Sequence, residues 1–140
     1  MAFWDASAVV PLCCPQSETT QTHRLRRELK RMVVWWGTPL EARSAFARLV
    51  REGHLDSAGR VDAIRRLGQL RGAWDEVSPI ERVRSLAEQL PDAHGMRAAD
   101  AAQLAAALVW CRERPQLRPL VCFDERLRTA AAALGFAVRP

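Results

Sequence analysis

The sequence has few cysteines and histidines, and none of them is arranged as a ligand cluster. No CxxC pair occurs, and the three histidines are scattered along the chain. A zinc site needs clustered ligands, so the sequence argues against one. Two of the cysteines are adjacent, which does not resemble the framework of a disulfide-rich secreted protein. We therefore expect the reducing cytoplasm as the compartment. The four cysteines are Cys13, Cys14, Cys111 and Cys122.

Long apolar runs are also missing. The uncharged run Ala101–Cys111, like every other uncharged run in the chain, is too short to cross a bilayer. The first residues have no basic region and carry Asp5 early, so we expect no signal peptide. Together these absences predict a soluble cytoplasmic protein without a membrane partner.

What the sequence has is an ordinary globular composition with an excess of arginine. Its 140 residues are 49% hydrophobic and 26% charged, which predicts a single domain, residues 1–140, with a substantial core. The net charge is +5, with twenty arginines and one lysine, Lys30. Arginine suits bidentate contacts to phosphate, although a GC-rich coding bias produces the same imbalance. The charge is consistent with an anionic partner.

Apolar runs alternate with helical patterns along the chain. Strands are predicted over residues 2–4, 32–36, 119–123 and 136–138. Helices are predicted over residues 6–12, 17–31, 38–52, 56–73, 78–90, 97–114 and 125–134, with a loop over 91–95. Thr38 and Ser78 each stand three residues before a glutamate, a spacing that predicts a capping box at the start of a helix. This alternation favours an α/β sandwich built on a mainly parallel sheet.

Four acidic residues stand apart from the surface charges. Asp5 and Asp124 directly follow apolar strands, and Glu41 lies in the first turn of the helix after the second strand. Strand ends and helix starts share one edge of such a sheet, so we expect these acids to converge in a cleft with Asp100. Asp100 begins an almost wholly apolar helix, where an unpartnered carboxylate is costly.

Each acid also has a structural alternative. Asp5 and Asp124 fit helix N-caps, and Glu41 fits the capping box of Thr38. Asp100 is harder to explain in this way, because Arg97 or a helix-end amide would have to satisfy its carboxylate. None of these alternatives excludes a functional role. Clustered carboxylates repel one another unless a cation is present, and hard oxygen ligands select Mg²⁺ or Mn²⁺. In a basic protein such a centre suggests phosphodiester hydrolysis by a metal-activated water.

Four segments resemble PIN-domain ribonucleases, specifically the VapC-type toxins of toxin–antitoxin pairs. The resemblance covers the whole chain, and its motifs are specific in combination although each is weak alone. The segments are Trp4-Asp5-Ala6-Ser7-Ala8, residues 39–45 (PLEARSA), residues 97–107 (RAADAAQLAAA) and residues 123–128 (FDERLR), the last followed by Ala131 and Gly135.

The resemblance implies a PIN-like three-layer sandwich that cleaves RNA with Mg²⁺ or Mn²⁺. Its acidic quartet matches Asp5, Glu41, Asp100 and Asp124 as metal-binding catalytic residues. Ser7 matches a supporting hydroxyl residue, and a local turn or cap is its structural alternative. It also implies a homodimer and a cognate antitoxin protein that blocks the cleft. Gln103 departs from the family pattern, because a histidine or another polar residue is frequent there.

Two other enzyme classes begin with an aspartate after the first strand. Haloacid-dehalogenase-like phosphatases carry Asp where this chain has Ser7, and both they and phospho-receiver domains need a lysine late in the chain. The only lysine is Lys30, so both are excluded. A degenerate PIN domain that binds RNA or scaffolds a complex without catalysis remains the alternative.

Overall fold

A five-stranded sheet with all strands parallel forms the centre of the molecule. The structure, a computed structural model, describes residues 1–140. The spatial order of the strands is β3-β2-β1-β4-β5. The strands are β1 Ala2–Trp4, β2 Met32–Trp35, β3 Asp75–Val77, β4 Pro119–Val121 and β5 Ala137–Arg139. The helices are α1 Ala6–Cys13, α2 Thr19–Leu29, α3 Thr38–Arg51, α4 Ser57–Arg71, α5 Glu81–Ala87, α6 Leu90–His94, α7 Ala98–Trp110 and α8 Glu125–Leu134.

Helices cover both faces of the sheet and give three layers. Successive strand residues point to opposite faces, so Trp4 packs with α1–α4 whereas Phe3 packs with α5–α8. In β2 the same alternation sends Val34 to the first core and Val33 to the second. The central strands must therefore be apolar on both faces, which explains their uninterrupted hydrophobic runs. The predicted α/β three-layer architecture is confirmed.

Strand β1 lies at the middle of the sheet and brings the start of the chain between two later strands. Phe3 pairs in register with Val33 of β2 on one side and with Leu120 of β4 on the other. Because β1, β2 and β4 run parallel, their carboxyl ends lie at one edge of the sheet. The segments that follow these strands carry three of the four acids.

Strand β3 was not predicted from the sequence. It contains two charged, exposed residues, Asp75 and Glu76, and has no apolar run to reveal it. It forms the edge of the sheet, where only one neighbour is available, and it pairs with β2 from Val33 to Trp35. Edge strands commonly carry such charges, because the charges discourage pairing with other chains.

The predicted loop over 91–95 is also wrong, because Leu90–His94 forms the short helix α6. Proline is tolerated in the first turn of a helix, so Pro91 does not prevent it. Gly95 ends the helix in the left-handed conformation, at φ 62°. The predicted capping box at Ser78 is wrong as well, since Ile80 occupies the N-cap position of α5.

The helices can be compared with the length and apolar composition of a membrane-spanning segment. No helix combines the length and the apolar composition needed to cross a bilayer.

Candidate active site

Asp5 follows β1 directly and is held at the beginning of α1. Its carboxylate accepts a hydrogen bond from the backbone N–H of Ser7 at 2.9 Å, so Asp5 is the N-cap of α1. The thiol of Cys122 donates a second, longer bond at 3.5 Å. The residue is only 4% exposed, and this burial raises the pKa of its carboxyl although the contacts to Ser7 and Cys122 act in the opposite direction. The cap interpretation is correct, and it leaves the other carboxylate oxygen free of a cap bond.

Ser7 joins α1 to the segment that follows β4. Its hydroxyl oxygen accepts hydrogen bonds from the backbone N–H groups of Phe123, at 2.9 Å, and Asp124, at 3.3 Å. Sequence separation hides this contact, since the partners lie more than 110 residues apart. Ser7 therefore fixes the backbone that carries Asp124 beside the backbone that carries Asp5.

Asp124 is exposed and is the N-cap of α8. One of its carboxylate oxygens accepts a hydrogen bond from the backbone N–H of Leu127 at 2.9 Å. Here too the cap interpretation is correct. A capping carboxylate uses one oxygen and keeps lone pairs on the other, so the cap leaves Asp124 able to bind a cation.

Glu41 does not belong to a capping box. Gly37, not Thr38, occupies the N-cap position of α3, and no side chain caps that helix. The backbone turns tightly from β2 into α3 at Gly37, where a Cβ atom would lie 2.6 Å from the Trp35 indole nitrogen. The turn moves the start of the helix by one residue. Glu41 is consequently too far along the helix to bond back to the cap, and its side chain points elsewhere.

The carboxylate of Glu41 is instead bound by Gln103 on α7. The side-chain N–H₂ of Gln103 donates to Glu41 Oε1 at 3.0 Å and to Thr38 Oγ1 at 3.2 Å. Burial, together with the nearby charges of Asp5 and Asp100, raises the pKa of Glu41 to about 7. The bond from Gln103 favours the ionised form and acts against the rise.

Asp100 lies in the first turn of α7 and is half-buried rather than enclosed. The helix begins at Ala98, so Asp100 stands at its positive end, where a carboxylate is stabilised. Burial and the charge of Asp124 raise its pKa, whereas Arg97 and Arg126 lower it. The expectation of an unpartnered carboxylate deep in an apolar helix is therefore corrected. Asp100 faces two arginines and another acid at the rim.

The four acids form a chain of electrostatic neighbours. Asp5 acts on Glu41, Asp100 acts on Glu41, and Asp124 acts on Asp100. The structure thus brings together four residues that are spread over nearly 120 positions of sequence. Repulsion within this chain would be relieved by a cation.

The donor chemistry fits Mg²⁺ or Mn²⁺, because every donor is a carboxylate oxygen. No three His, Cys, Asp or Glu side chains lie close enough together to enclose an ion by themselves. Mg²⁺, however, is usually held by one or two carboxylates and completes its coordination with water and substrate phosphate. The coupled pairs Asp5–Glu41 and Asp100–Asp124 suit that mode of binding, and an all-protein cage is not required.

Two cavities elsewhere do not compete with this site. They measure about 360 and 480 Å³ and lie along α1, α2 and α4, beside Cys13, Cys14 and Arg66. None of the four acids lines either cavity. The thiols are buried, and burial raises their pKa values, which makes them poor nucleophiles.

The fold has a counterpart among solved structures. The crystal structure of FitAcB from Neisseria gonorrhoeae matches with a TM-score of 0.65 and 20% sequence identity, over 100% of this chain and 97% of that chain. FitAcB contains FitB, a PIN-domain protein. The chain has a PIN-like fold. No protein-family model matches the sequence, and no curated protein matches it. At this level of identity the likeness concerns the PIN-like fold alone.

Some residues of the site were missed or only partly understood from the sequence. Thr38 was predicted to be a cap but is a buried partner of Gln103, and Gln103 itself carried no predicted contact. Arg97 was expected only as a structural partner of Asp100, and Arg126 was not singled out, although the charges of both act on Asp100. The sequence did offer a signal for both arginines, because each lies within three residues of a predicted acid. The contacts of Thr38 and Gln103 had none, because 65 residues separate them.

Proposed function

We propose that this protein is a metal-dependent endoribonuclease of the VapC toxin type, which hydrolyses phosphodiester bonds of RNA. The observation that carries the proposal is the electrostatic coupling of Asp5, Glu41 and Asp100, three acids on separate elements at one edge of a PIN-like fold. Acids placed together in this way, with raised pKa values, are a frequent feature of functional sites.

Asp5, Glu41, Asp100 and Asp124 would hold Mg²⁺ or Mn²⁺, directly or through water. Such an ion supplies a bound water of lowered pKa and stabilises the negative charge on the phosphate oxygens. Glu41 would ligate the ion or orient the attacking water through its carboxylate. No serine or cysteine nucleophile is needed.

Arg97 and Arg126 would bind the RNA backbone. Arg97 and Arg126 both act on Asp100, so they lie beside the acids, and neither forms a salt bridge with a carboxylate. Arginine binds phosphate in a bidentate manner and keeps its charge at any relevant pH. Ser7 would support the site by holding the Asp124 backbone against α1.

The partners follow from the same likeness. FitAcB is a complex of the VapC-like toxin FitB with its antitoxin FitA. We accordingly propose that a cognate antitoxin protein inhibits this chain, that the chain forms a homodimer and that it acts in the cytoplasm. Co-expression with the product of an adjacent small gene, followed by co-purification, tests the antitoxin.

A non-catalytic RNA-binding module is the second candidate. It is favoured by the absence of three donor side chains close enough to enclose a metal ion. Such a module would bind RNA without consuming it, and its affinity would be the same with Mn²⁺ and with EDTA.

Incubation of structured RNA with the purified protein distinguishes the two. We expect cleavage with Mn²⁺, none with EDTA, and a loss of at least about 100-fold in Asp100→Asn. Asp92→Asn is the matched control, because Asp92 is an exposed aspartate in the first turn of α6 with no salt bridge. Cleavage that persists in EDTA or in Asp100→Asn refutes the metal-nuclease proposal. RNA binding without any cleavage or metal binding supports the module.

A further inference from the structure

We propose that Gln103 is a positioning residue that holds the Glu41 carboxylate in the orientation needed to bind a divalent cation, and that Thr38 anchors Gln103 in turn. The inference rests on the proposed function, because it is that proposal which makes Glu41 a ligand of the metal ion.

Gln103 is the sole hydrogen-bond partner of the Glu41 side chain. Its amide N–H₂ lies 3.0 Å from Glu41 Oε1, and no arginine or lysine forms a salt bridge with Glu41. A glutamate side chain has three rotatable bonds, and Asp5 and Asp100 repel this one electrostatically. Without the bond from Gln103, Glu41 would turn toward solvent and away from the other two acids. The bond therefore keeps together like charges that would otherwise separate.

The amide is itself fixed in place. Gln103 is fully buried on α7, and its second N–H bond goes to Thr38 Oγ1, one helical turn before Glu41 on α3. The two bonds tie α7 to α3 at the edge of the sheet. They also set the orientation of the amide, because only its nitrogen can donate to both oxygens.

A purely structural role does not account for this residue. The Oε1 atom of Gln103 is buried and has no hydrogen-bond partner, an arrangement that costs stability. An apolar side chain of the same length would avoid that cost. A neutral amide has a different advantage, because it orients a carboxylate without supplying the positive charge that would compete with a metal ion. An arginine or lysine at this position would neutralise Glu41 and displace the cation.

The test compares Mn²⁺ binding by calorimetry in the whole protein and its variants. Gln103→Met keeps the length of the side chain and removes the donor. Thr38→Val keeps the shape of the anchor and removes its oxygen. Thr22→Val is the matched control, since Thr22 is an equally buried threonine whose hydroxyl donates to the backbone carbonyl of Glu18, the residue before α2.

We expect Gln103→Met to raise the Kd for Mn²⁺ about 10-fold and Thr38→Val to raise it by a smaller factor, with no change in Thr22→Val. The effect must act through Glu41. In a Glu41→Gln background, Gln103→Met should change the Kd by less than about 2-fold. An unchanged Kd in both Gln103→Met and Thr38→Val overturns the inference, as does an equal loss with and without Glu41. If Gln103→Met does not fold, Thr38→Val decides the question alone.

A second measurement separates this inference from the function that it deepens. In metal-free protein, the Gln103 side-chain amide signals in a ¹⁵N–¹H spectrum should shift in Glu41→Gln and stay unchanged in Asp92→Asn. If the wild-type protein binds no Mn²⁺ but these signals respond to Glu41, the nuclease proposal fails and the contact stands. Signals that do not respond to Glu41 overturn the inference whatever the metal binding.

Discussion

Replacing Glu41 by glutamine should stabilise the metal-free protein above neutral pH. The substitution keeps the shape of the side chain and removes its charge. It therefore also removes the electrostatic repulsion from Asp5 and Asp100. Burial and these neighbours raise the pKa of Glu41 from 4.5 to about 7. Below pH 4.5 the carboxyl is neutral in both the folded and the unfolded chain, and it costs nothing. Between pH 4.5 and 7 only the unfolded chain ionises, so stability falls, and above pH 7 the full penalty is present.

The size of this penalty follows from the shift. A rise of this size corresponds to at most about 3 kcal/mol, and the partial exposure of Glu41 reduces it to about 2 kcal/mol. At pH 8, therefore, Glu41→Gln should raise the free energy of unfolding by about 2 kcal/mol and the Tm by roughly 6 °C. At pH 4 the variant and the wild type should be equally stable.

Urea denaturation in EDTA at the two pH values measures the effect directly. Glu88→Gln serves as the control, because Glu88 is an exposed glutamate without a salt bridge, and it should change little at either pH. When Mn²⁺ is added, the wild type should become more stable than Glu41→Gln, since the ion stabilises the wild type more than the variant that lacks one ligand. A variant that is not more stable at pH 8, or that is equally stabilised at pH 4, refutes the reasoning.

Two further substitutions separate the site from the scaffold. Ser7→Ala leaves the N–H groups of Phe123 and Asp124 without an acceptor, so urea denaturation should show a loss of about 1–3 kcal/mol, and RNA cleavage should fall as the Asp124 backbone loosens; unchanged stability would contradict the bridging role. Asp56→Ala removes the cap bond to Gly59 at 2.7 Å and should cost about 1 kcal/mol in the same assay without altering Mn²⁺ affinity or cleavage. An altered Mn²⁺ affinity there would show that the scaffold and the site are coupled.

The apolar runs and the helical patterns were sufficient to predict an α/β sandwich on a mainly parallel sheet, and the family resemblance implied its three layers. Strands β1, β2 and β4 are buried on both faces, so their sequences have no polar interruption and are easy to recognise. Strand β3 lacks this signal because an edge strand needs no such continuity. Helix α7 was predicted too long. Arg112 and Glu113 adopt positive φ angles after Cys111, so the helix ends before Pro115.

The candidate acids could be proposed from position alone, but their surroundings could not. Local sequence indicated the aspartate caps correctly at Asp5 and Asp124, because a capping bond spans only two or three residues. The same local logic failed for Glu41. A one-residue difference in the start of α3, set by the turn at Gly37, removed its capping role.

By itself the sequence determined the strands and helices other than β3 and α6, and therefore that Asp5, Glu41 and Asp124 follow strands at one edge of a parallel sheet. Those features depend on hydrophobic periodicity and backbone preferences, which act between residues close together in the chain. Only the tertiary structure decided which carboxylates face one another, that Gln103 binds Glu41 and that Ser7 holds the Asp124 backbone. These contacts join residues 62 to 117 positions apart, and no local preference encodes a hydrogen bond over such a separation. They exist because the packing of α7 against the sheet and the pairing of β1 with β4 place their donors and acceptors within reach.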